Sequence, residues 1–440
     1  VKVKDREYLE QKLKVSGQLL ERGKKCLLSH YTNGNFSEFV FFESGKGSKI
    51  VDKDGNEYID YAMGLGPLLL GHAHPDVVKA ATKATMEGSV HGFGNTYEVE
   101  FAKLLVDAVP GIEKVAFTNS GTEATLQAIK CARAITKRKK IGKFEGNYHG
   151  THDYAQISGR NASSGDIEDP KSVADFGGIY KEVLDNVITL SMNVDETFDK
   201  IERFKDELAC IILEPIPLMC PLEMKDFIKK LRDITKQYGI LLIFDEVVTG
   251  FRLGFGGAIE YFGIVPDLVT YGKLIGGGFP VGAVAGPDEY MKVLSFNQMS
   301  YGKDKVYLTG TFNGNPVTCA AGVATLEYLK NNRNVYDEME KKTMYLRTKL
   351  EEAAKELNFT FRTLGAASLF VSYFHEGKIE NTRAARWKST MQAFMILRRH
   401  MLKNGVILSD TGSYFLSTEH TYEDCDKTVQ IFKKTLEEII

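Results

Sequence analysis

The chain has 440 residues, and its 56 basic side chains against 58 acidic ones leave a net charge of -2. That balance excludes the dominant basic field a nucleic-acid binder needs. No apolar run approaches the ~20 residues that span a bilayer, so no membrane partner is expected, and six scattered cysteines without metal-ligand spacing point away from a disulfide framework and toward a reducing cytoplasm.

In chain order, residues 1–30 read as a charged amphipathic helix, without the apolar stretch of a secretion signal. "SKIVDKDGNEYIDY" (Ser48–Tyr61) reads as two short strands around Asp54-Gly55, a strong hairpin signal. "GHAHP" holds His72 and His74, but with no third ligand nearby it reads as a turn and no metal site is expected. From about Gly92 strands and helices alternate. "KVAFTN" is a short strand, followed by a helix with Ala124, Ala128, Cys131, Ala132 and Ile135 on one face. The basic cluster from Lys137 to Lys140 reads as its solvated end.

"LACIILEP" (Leu208–Pro215) and "ILLIFDEVVTG" are continuous apolar runs of the kind that form strands buried on both faces, and "DLVTYGK" is a third. Between the first two lies a helix with Phe227, Leu231, Ile234 and Tyr238 on one side and Gly239 as its C-cap. After residue 319 the helices become longer and more charged, and the last (Tyr422–Ile440) sets Cys425, Val429, Phe432 and Leu436 on a seam. The pattern predicts an α/β fold, with a largely parallel sheet in a large domain (66–318) and a smaller domain built from residues 1–65 and 319–440.

Ligands of parallel α/β sheets bind beyond the carboxyl ends of the strands. Three features fall there. "TNSGTEA" places Ser120, Gly121 and Thr122 at a helix N-terminus, a ready anion site, and also a capping box through Glu123. Asp245 ends a buried strand, where a carboxylate needs a partner; Glu246 points to the opposite side if the pleat continues. Lys273 stands between an apolar strand and three glycines, where desolvation would activate its amine for a Schiff base. Pyridoxal phosphate requires all three: a lysine for its aldehyde, a carboxylate for its ring nitrogen and a cradle for its phosphate. A nucleotide-binding reading fails, because neither dinucleotide fingerprint nor Walker motif is present and Lys273 is followed by Leu274.

The ordered set "NSGTEA", "GNYHG", "LEP", "DEVVTGFR", "GKLIGGGFPVGA" and "GTFNGNP" resembles the class III aminotransferases, pyridoxal-phosphate enzymes of fold type I. "YAMGLGPLLLGHAHP" and "LSTEHTYEDCDKT" are most similar to the glutamate-1-semialdehyde aminomutase branch. The resemblance implies a sheet of seven-stranded type. It makes Lys273 the Schiff-base lysine, Asp245 the partner of the ring nitrogen, and Ser120, Gly121 and Thr122 the phosphate cradle. Tyr148 would stack on the cofactor ring. Thr311 would reach the phosphate of the neighbouring subunit, which implies a homodimer with active sites at the interface. His149 receives no chemical step, and Arg252 reads as structural.

The chain departs from the branch where substrate is read. "TNGNFSEFV" (Thr32–Val40) lacks the arginine of the aminomutase pattern, "IPLMCPL" after "LEP" is unusually apolar, and the C-terminal region lacks the donor-binding arginine of many relatives. These absences lead to an expected aminotransferase acting on a small biosynthetic carbonyl such as a keto-sugar or phosphorylated ketone, with the aminomutase as the alternative. Residues 153–175, rich in Gly, Ser and Asp, are the expected lid.

Overall fold

Three short strands, β1 (Phe42–Lys46), β2 (Lys49–Asp52) and β3 (Glu57–Asp60), precede the main sheet of this computed structural model, which describes residues 12–28, 40–159, 163–295, 304–375, 377–385 and 388–439. Val51 pairs with Glu57 across the Asp54-Gly55 turn, and Gly55 takes φ +84, the left-handed conformation that glycine adopts without strain. Of the expected N-terminal helix, Lys14–Gly23 is helical; residues 1–11, 29 and 30 lie outside the described residues, as does most of Thr32–Val40.

The central sheet comprises β4 (Lys114–Thr118), β5 (Lys140–Phe144), β6 (Val187–Leu190), β7 (Leu208–Leu213), β8 (Leu241–Asp245), β9 (Leu268–Gly272) and β10 (Gly282–Gly286). Its seven strands run in the order β4-β10-β9-β8-β7-β5-β6. Five of them, β6-β5-β7-β8-β9, pair in parallel, and β10 runs antiparallel to both β9 and β4. Every residue of β6, β7, β8 and β9 is buried, because helices cover both faces.

On one face the helix Gly121–Thr136 presents Ala124, Ala128, Cys131 and Ala132 to Ile141, Ile212, Ile243 and Val284. These small residues let helix and sheet approach closely. On the other, Phe227 and Leu231 of the helix Lys225–Tyr238 pack with Phe144 and Phe244. That helix ends at Gly239 in the left-handed conformation (φ +61). Its last carbonyls are capped from a distance: Arg138 Nη1 and Nη2 donate to Tyr238 O at 3.0 and 3.1 Å. The basic cluster is therefore divided, with Lys137 solvated, Arg138 capping and Lys140 opening β5.

The remaining strands are β11 (Arg362–Ala366), β12 (Leu369–Tyr373), β13 (Val406–Ile407) and β14 (Ser413–Phe415). β13 joins the N-terminal strands in a sheet ordered β1-β2-β3-β13, and β11-β12-β14 form another. Ile59 and Tyr61 share a core with Leu346, Phe370, Phe394, Leu397, Phe432 and Leu436, so residues from both ends of the sequence bury one another. The expected boundary between residues 318 and 319 falls inside the helix Pro316–Asn331, which packs on the helices Pro75–Glu87 and Thr96–Ala108 of the core side.

Arg252 ties the two halves together. Fully buried, it donates from Nη2 to Gly66 O at 2.5 Å and from Nη1 to Ser368 Oγ at 2.9 Å, with its guanidinium 5.2 Å from the Phe415 ring. Its role is structural, as the sequence suggested.

Candidate active site

Five strand ends bring the chemistry together. β8 terminates at Asp245, β9 leads directly into Lys273, β4 into Ser120, β5 into the turn bearing Tyr148 and His149, and β7 into Glu214. Gly272 shows how close they come: a Cβ built there would stand 3.3 Å from Val247 Cγ1 and 3.5 Å from Gly121 N. The lysine's strand thus touches both the loop after Asp245 and the start of the helix at Gly121. Gly150 (φ +98) closes the circle, since a Cβ there would lie 2.4 Å from Thr122 Oγ1.

Lys273 is half-buried and opens a short 3-10 turn, Lys273–Gly276. Its φ of +45 is a left-handed conformation that costs a non-glycine residue about 1–3 kcal/mol. Such strain survives where the surroundings over-determine it, here between a buried strand and the glycine run.

Ser120 caps the helix Gly121–Thr136, its Oγ accepting from Glu123 N at 3.2 Å, and Glu123 Oε2 accepts from Asn119 N at 2.9 Å. The capping box and the anion site are compatible: Gly121 and Thr122 are half-buried in the first turn, whose N–H groups have no acceptor within the helix. Thr311 sits exposed on a turn that Asn119 Nδ2 ties to the same strand end through Asn313 Oδ1, at 2.7 Å.

Asp245 is buried and saturated with donors. Its Oδ2 stands 2.7 Å from His149 Nδ1, while Oδ1 accepts from Val247 N at 3.1 Å and Thr270 Oγ1 at 3.2 Å. Burial lowers the pKa of His149 against the opposing pull of Asp245, which favours a neutral ring whose Nδ1 faces the carboxylate. His149 thus supports Asp245, a contact that its position in the sequence did not disclose. Its own carbonyl accepts from Thr125 Oγ1 at 2.6 Å, and the same hydroxyl meets His152 Nε2 at 3.2 Å. Burial pushes His152 down to about 4.

Glu246 faces away from Asp245, as the pleat requires. Its carboxylate accepts from Ala258 N at 2.8 Å and Ile259 N at 3.2 Å, anchoring the short helix Gly257–Phe262, and burial raises its pKa to about 7. His72 is engaged by Asp60, Nε2 to Oδ2 at 2.7 Å. Among the described residues no cluster of three or more His, Cys, Asp or Glu could hold a metal ion. The expected lid is pinned where it is described: Ser158 N donates to Val173 O at 2.7 Å, and Arg383 Nη1 donates to Gly165 O at 2.8 Å.

The aminotransferase class-III family matches residues 31–438. The chain belongs to the class III aminotransferases. This class III aminotransferase is 41% identical over 427 residues to a glutamate-1-semialdehyde 2,1-aminomutase of Fusobacterium nucleatum, covering 96% of this chain and 95% of that one. It is 40% identical to the enzyme of the same name from Methanocaldococcus jannaschii, covering 97% and 99%. Among solved structures, an omega-transaminase from Sphaerobacter thermophilus superposes with a TM-score of 0.90 at 33% identity, covering 96% of this chain and 97% of that one. A transaminase with pyridoxal phosphate bound is similar at 30% identity and a TM-score of 0.88, covering 97% and 98%. The fold is fold type I, and the cofactor is pyridoxal phosphate. The residues fit it: a half-buried lysine, a buried carboxylate and a helix N-terminus follow strand ends that Gly272 brings into contact.

Proposed function

We propose that this enzyme is a glutamate-1-semialdehyde 2,1-aminomutase, moving an amino group between adjacent carbons of one substrate to give 5-aminolevulinate. The observation that carries this reading is identity of 40–41% across 96–97% of the chain with relatives of that name. Those relatives lend no support to the keto-sugar or phosphorylated-ketone acceptor expected from the missing arginines.

Pyridoxal phosphate supplies an aldehyde that takes up amines and a ring that draws electrons from the adjacent carbon. In this reading Lys273 would hold the cofactor through its amine, and the same amine, once released, would take up or return the proton of the substrate carbon that bears the amino group. Asp245, supported by His149, faces the ring nitrogen. Ser120, Gly121 and Thr122 take the phosphate, and Tyr148 covers the ring. Thr311 reaches the phosphate of the neighbouring subunit.

A homodimer belongs to the same proposal. Met86 (85% exposed), Phe93 (89%) and Phe312 (56%) leave large apolar side chains in solvent. They stand on neighbouring segments: Asn95 Nδ2 donates to Gly314 O at 2.8 Å, and Tyr97 Oη donates to Glu87 Oε2, beside Met86, at 3.0 Å. A second copy of the chain would cover them. Six free thiols, five of them buried, suit a cytoplasmic setting, and no helix among the described residues is long and apolar enough to cross a membrane.

A net transaminase is the second reading, favoured by the apolar wall after β7. Leu218 packs with Met63, Val248, Leu369 and Phe415, and Cys220 with Val371, Tyr373 and Ile379, where carboxylate-binding groups would otherwise be sought. The test is incubation of the loaded enzyme with glutamate-1-semialdehyde and no donor. Formation of 5-aminolevulinate, absent from Lys273→Ala, supports the aminomutase. No product, together with amine transfer to a keto acid from an added amine, establishes the transaminase instead.

A further inference from the structure

The peptide bond joining Asn147 to Tyr148 is held on both sides by buried charged side chains. Its N–H, on Tyr148, donates to Glu214 Oε2 at 2.9 Å. Its carbonyl oxygen, on Asn147, accepts from Lys143 Nζ at 3.0 Å. Lys143 is fully buried and Glu214 is 4% exposed.

Neither charge lies where strand chemistry alone would put it. Lys143 occupies β5 two residues after Ile141, on the face covered by the helix Gly121–Thr136. An apolar residue there would serve packing, and burying a cation costs free energy unless donors find acceptors. Lys143 finds a second one in Ile157 O at 2.8 Å. It therefore stitches the turn after β5 to the segment that returns beneath it.

Glu214 sits one residue past β7 and makes a reciprocal pair with the same turn. Its backbone N–H donates to Asn147 Oδ1 at 2.8 Å while its side chain takes the N–H of Tyr148. The plane of this one peptide sets the direction in which the Tyr148 side chain leaves the backbone. Tyr148 is itself 37% exposed, so contact with the protein interior does not fix its ring on all sides.

We propose that Lys143 and Glu214 are positioning residues for Tyr148, clamping its preceding peptide so that the ring lies over the pyridoxal ring. The inference rests on the reading of Tyr148 as the residue covering the cofactor. A pair of oppositely charged clamps gives a stiffer support than packing alone, because charge-assisted hydrogen bonds are short and strong. Removing either member frees one side of the peptide and lets the ring tilt.

The experiment uses Lys143→Met, Glu214→Leu, Glu214→Gln and Tyr148→Ala, with far-ultraviolet circular dichroism confirming that each apoprotein is folded. Two quantities are read: the dissociation constant for pyridoxal phosphate, and the circular dichroism of the visible cofactor band, which reports the asymmetry around the ring. Lys143→Met and Glu214→Leu should each weaken cofactor binding about tenfold, the loss of one hydrogen bond to a charged group, and diminish the visible signal as Tyr148→Ala does. Glu214→Gln keeps an oxygen for the Tyr148 N–H, though without the charge, and should recover most of both readings. If Lys143→Met does not fold, the two Glu214 variants carry the test from the other side of the peptide.

Unchanged binding and visible signal in Glu214→Leu, beside a clear loss in Tyr148→Ala, would overturn the clamp while leaving the role of Tyr148 intact. Glu214→Gln as impaired as Glu214→Leu would overturn it as well, since the effect would then follow charge and not the hold on the peptide. No change in Tyr148→Ala would remove the underlying reading itself.

Discussion

His149 Nδ1 and Asp245 Oδ2 stand 2.7 Å apart, with side-chain exposures of only 1% and 3%. The carboxylate proposed to meet the cofactor's ring nitrogen is thus oriented by a buried imidazole from a different strand end. Asp245→Asn should reduce kcat by about 10²–10⁴-fold, the range of a lost acid–base partner. His149→Leu keeps the carboxylate but removes one of its donors, and should cost about tenfold. Steady-state kinetics on both variants checks the order; a His149→Leu enzyme as slow as Asp245→Asn would mean the imidazole does more than orient.

Stability should fall as the solution is acidified from pH 6.5 toward 4. Burial pushes His152 and His420 down to about 4 from the ordinary 6.5. His420 has no room to take up a proton cheaply: its Nδ1 accepts from Ser417 N at 3.0 Å, and its ring is stacked on Tyr61 at 4.6 Å. In this window the unfolded chain binds protons that the native state refuses, so each histidine contributes stability above pH 6.5 that is lost on the way down, at most about 3 kcal/mol. His420→Asn should flatten the dependence of Tm on pH between 4 and 6.5. An unchanged slope would count against the neutral buried ring.

Glu246 acts with the opposite sign. Burial raises its pKa from 4.5 to about 7, so the native state holds a proton the unfolded chain has released, and stability declines as pH rises from 4.5 through 7. Glu246→Gln removes this term. Its Tm, relative to the parent enzyme, should therefore improve progressively from pH 5 to pH 8, and a constant difference would refute the assignment.

Gly150→Ala should disturb the site without touching any reacting group. The new Cβ would stand 2.4 Å from Thr122 Oγ1 and 2.7 Å from Thr122 Cα, in a left-handed backbone (φ +98). The turn carrying His149 and the first turn of the helix Gly121–Thr136 must then separate. Cofactor affinity should drop about tenfold or more, with a loss of stability of about 1–3 kcal/mol. Equilibrium binding and thermal unfolding report the two separately.

Arg252→Met should destabilise by about 2–4 kcal/mol, because it leaves Gly66 O and Ser368 Oγ buried without their donor. Denaturant unfolding measures it. Arg252→Lys should recover only part, since a single ammonium cannot reproduce the planar fork.

Much of the architecture follows from local sequence, for reasons visible in single segments. A strand covered on both faces must be apolar throughout, so "LACIIL" and "LLIF" declared themselves as β7 and β8. Asp54-Gly55 and Gly239 occupy turns whose backbone angles favour such residues, so the hairpin and one helix end were legible too. Lys273, Asp245 and the Ser120 helix start stood out because a charge or a cap at a strand end departs from the surrounding pattern.

Only the tertiary structure revealed what supports them. His149 meets Asp245 across 96 positions of sequence, and Tyr148 meets Glu214 across 66. Lys143 in "KIGKF" has the local signature of a solvated lysine, and its burial depends on the helix laid over β5. Sequence alone determined the family and the cofactor chemistry, and it singled out Lys273 as the candidate Schiff-base lysine. The geometry that holds the carboxylate and Tyr148 was decided by folding, because hydrogen bonds between distant segments leave no periodic trace in either one.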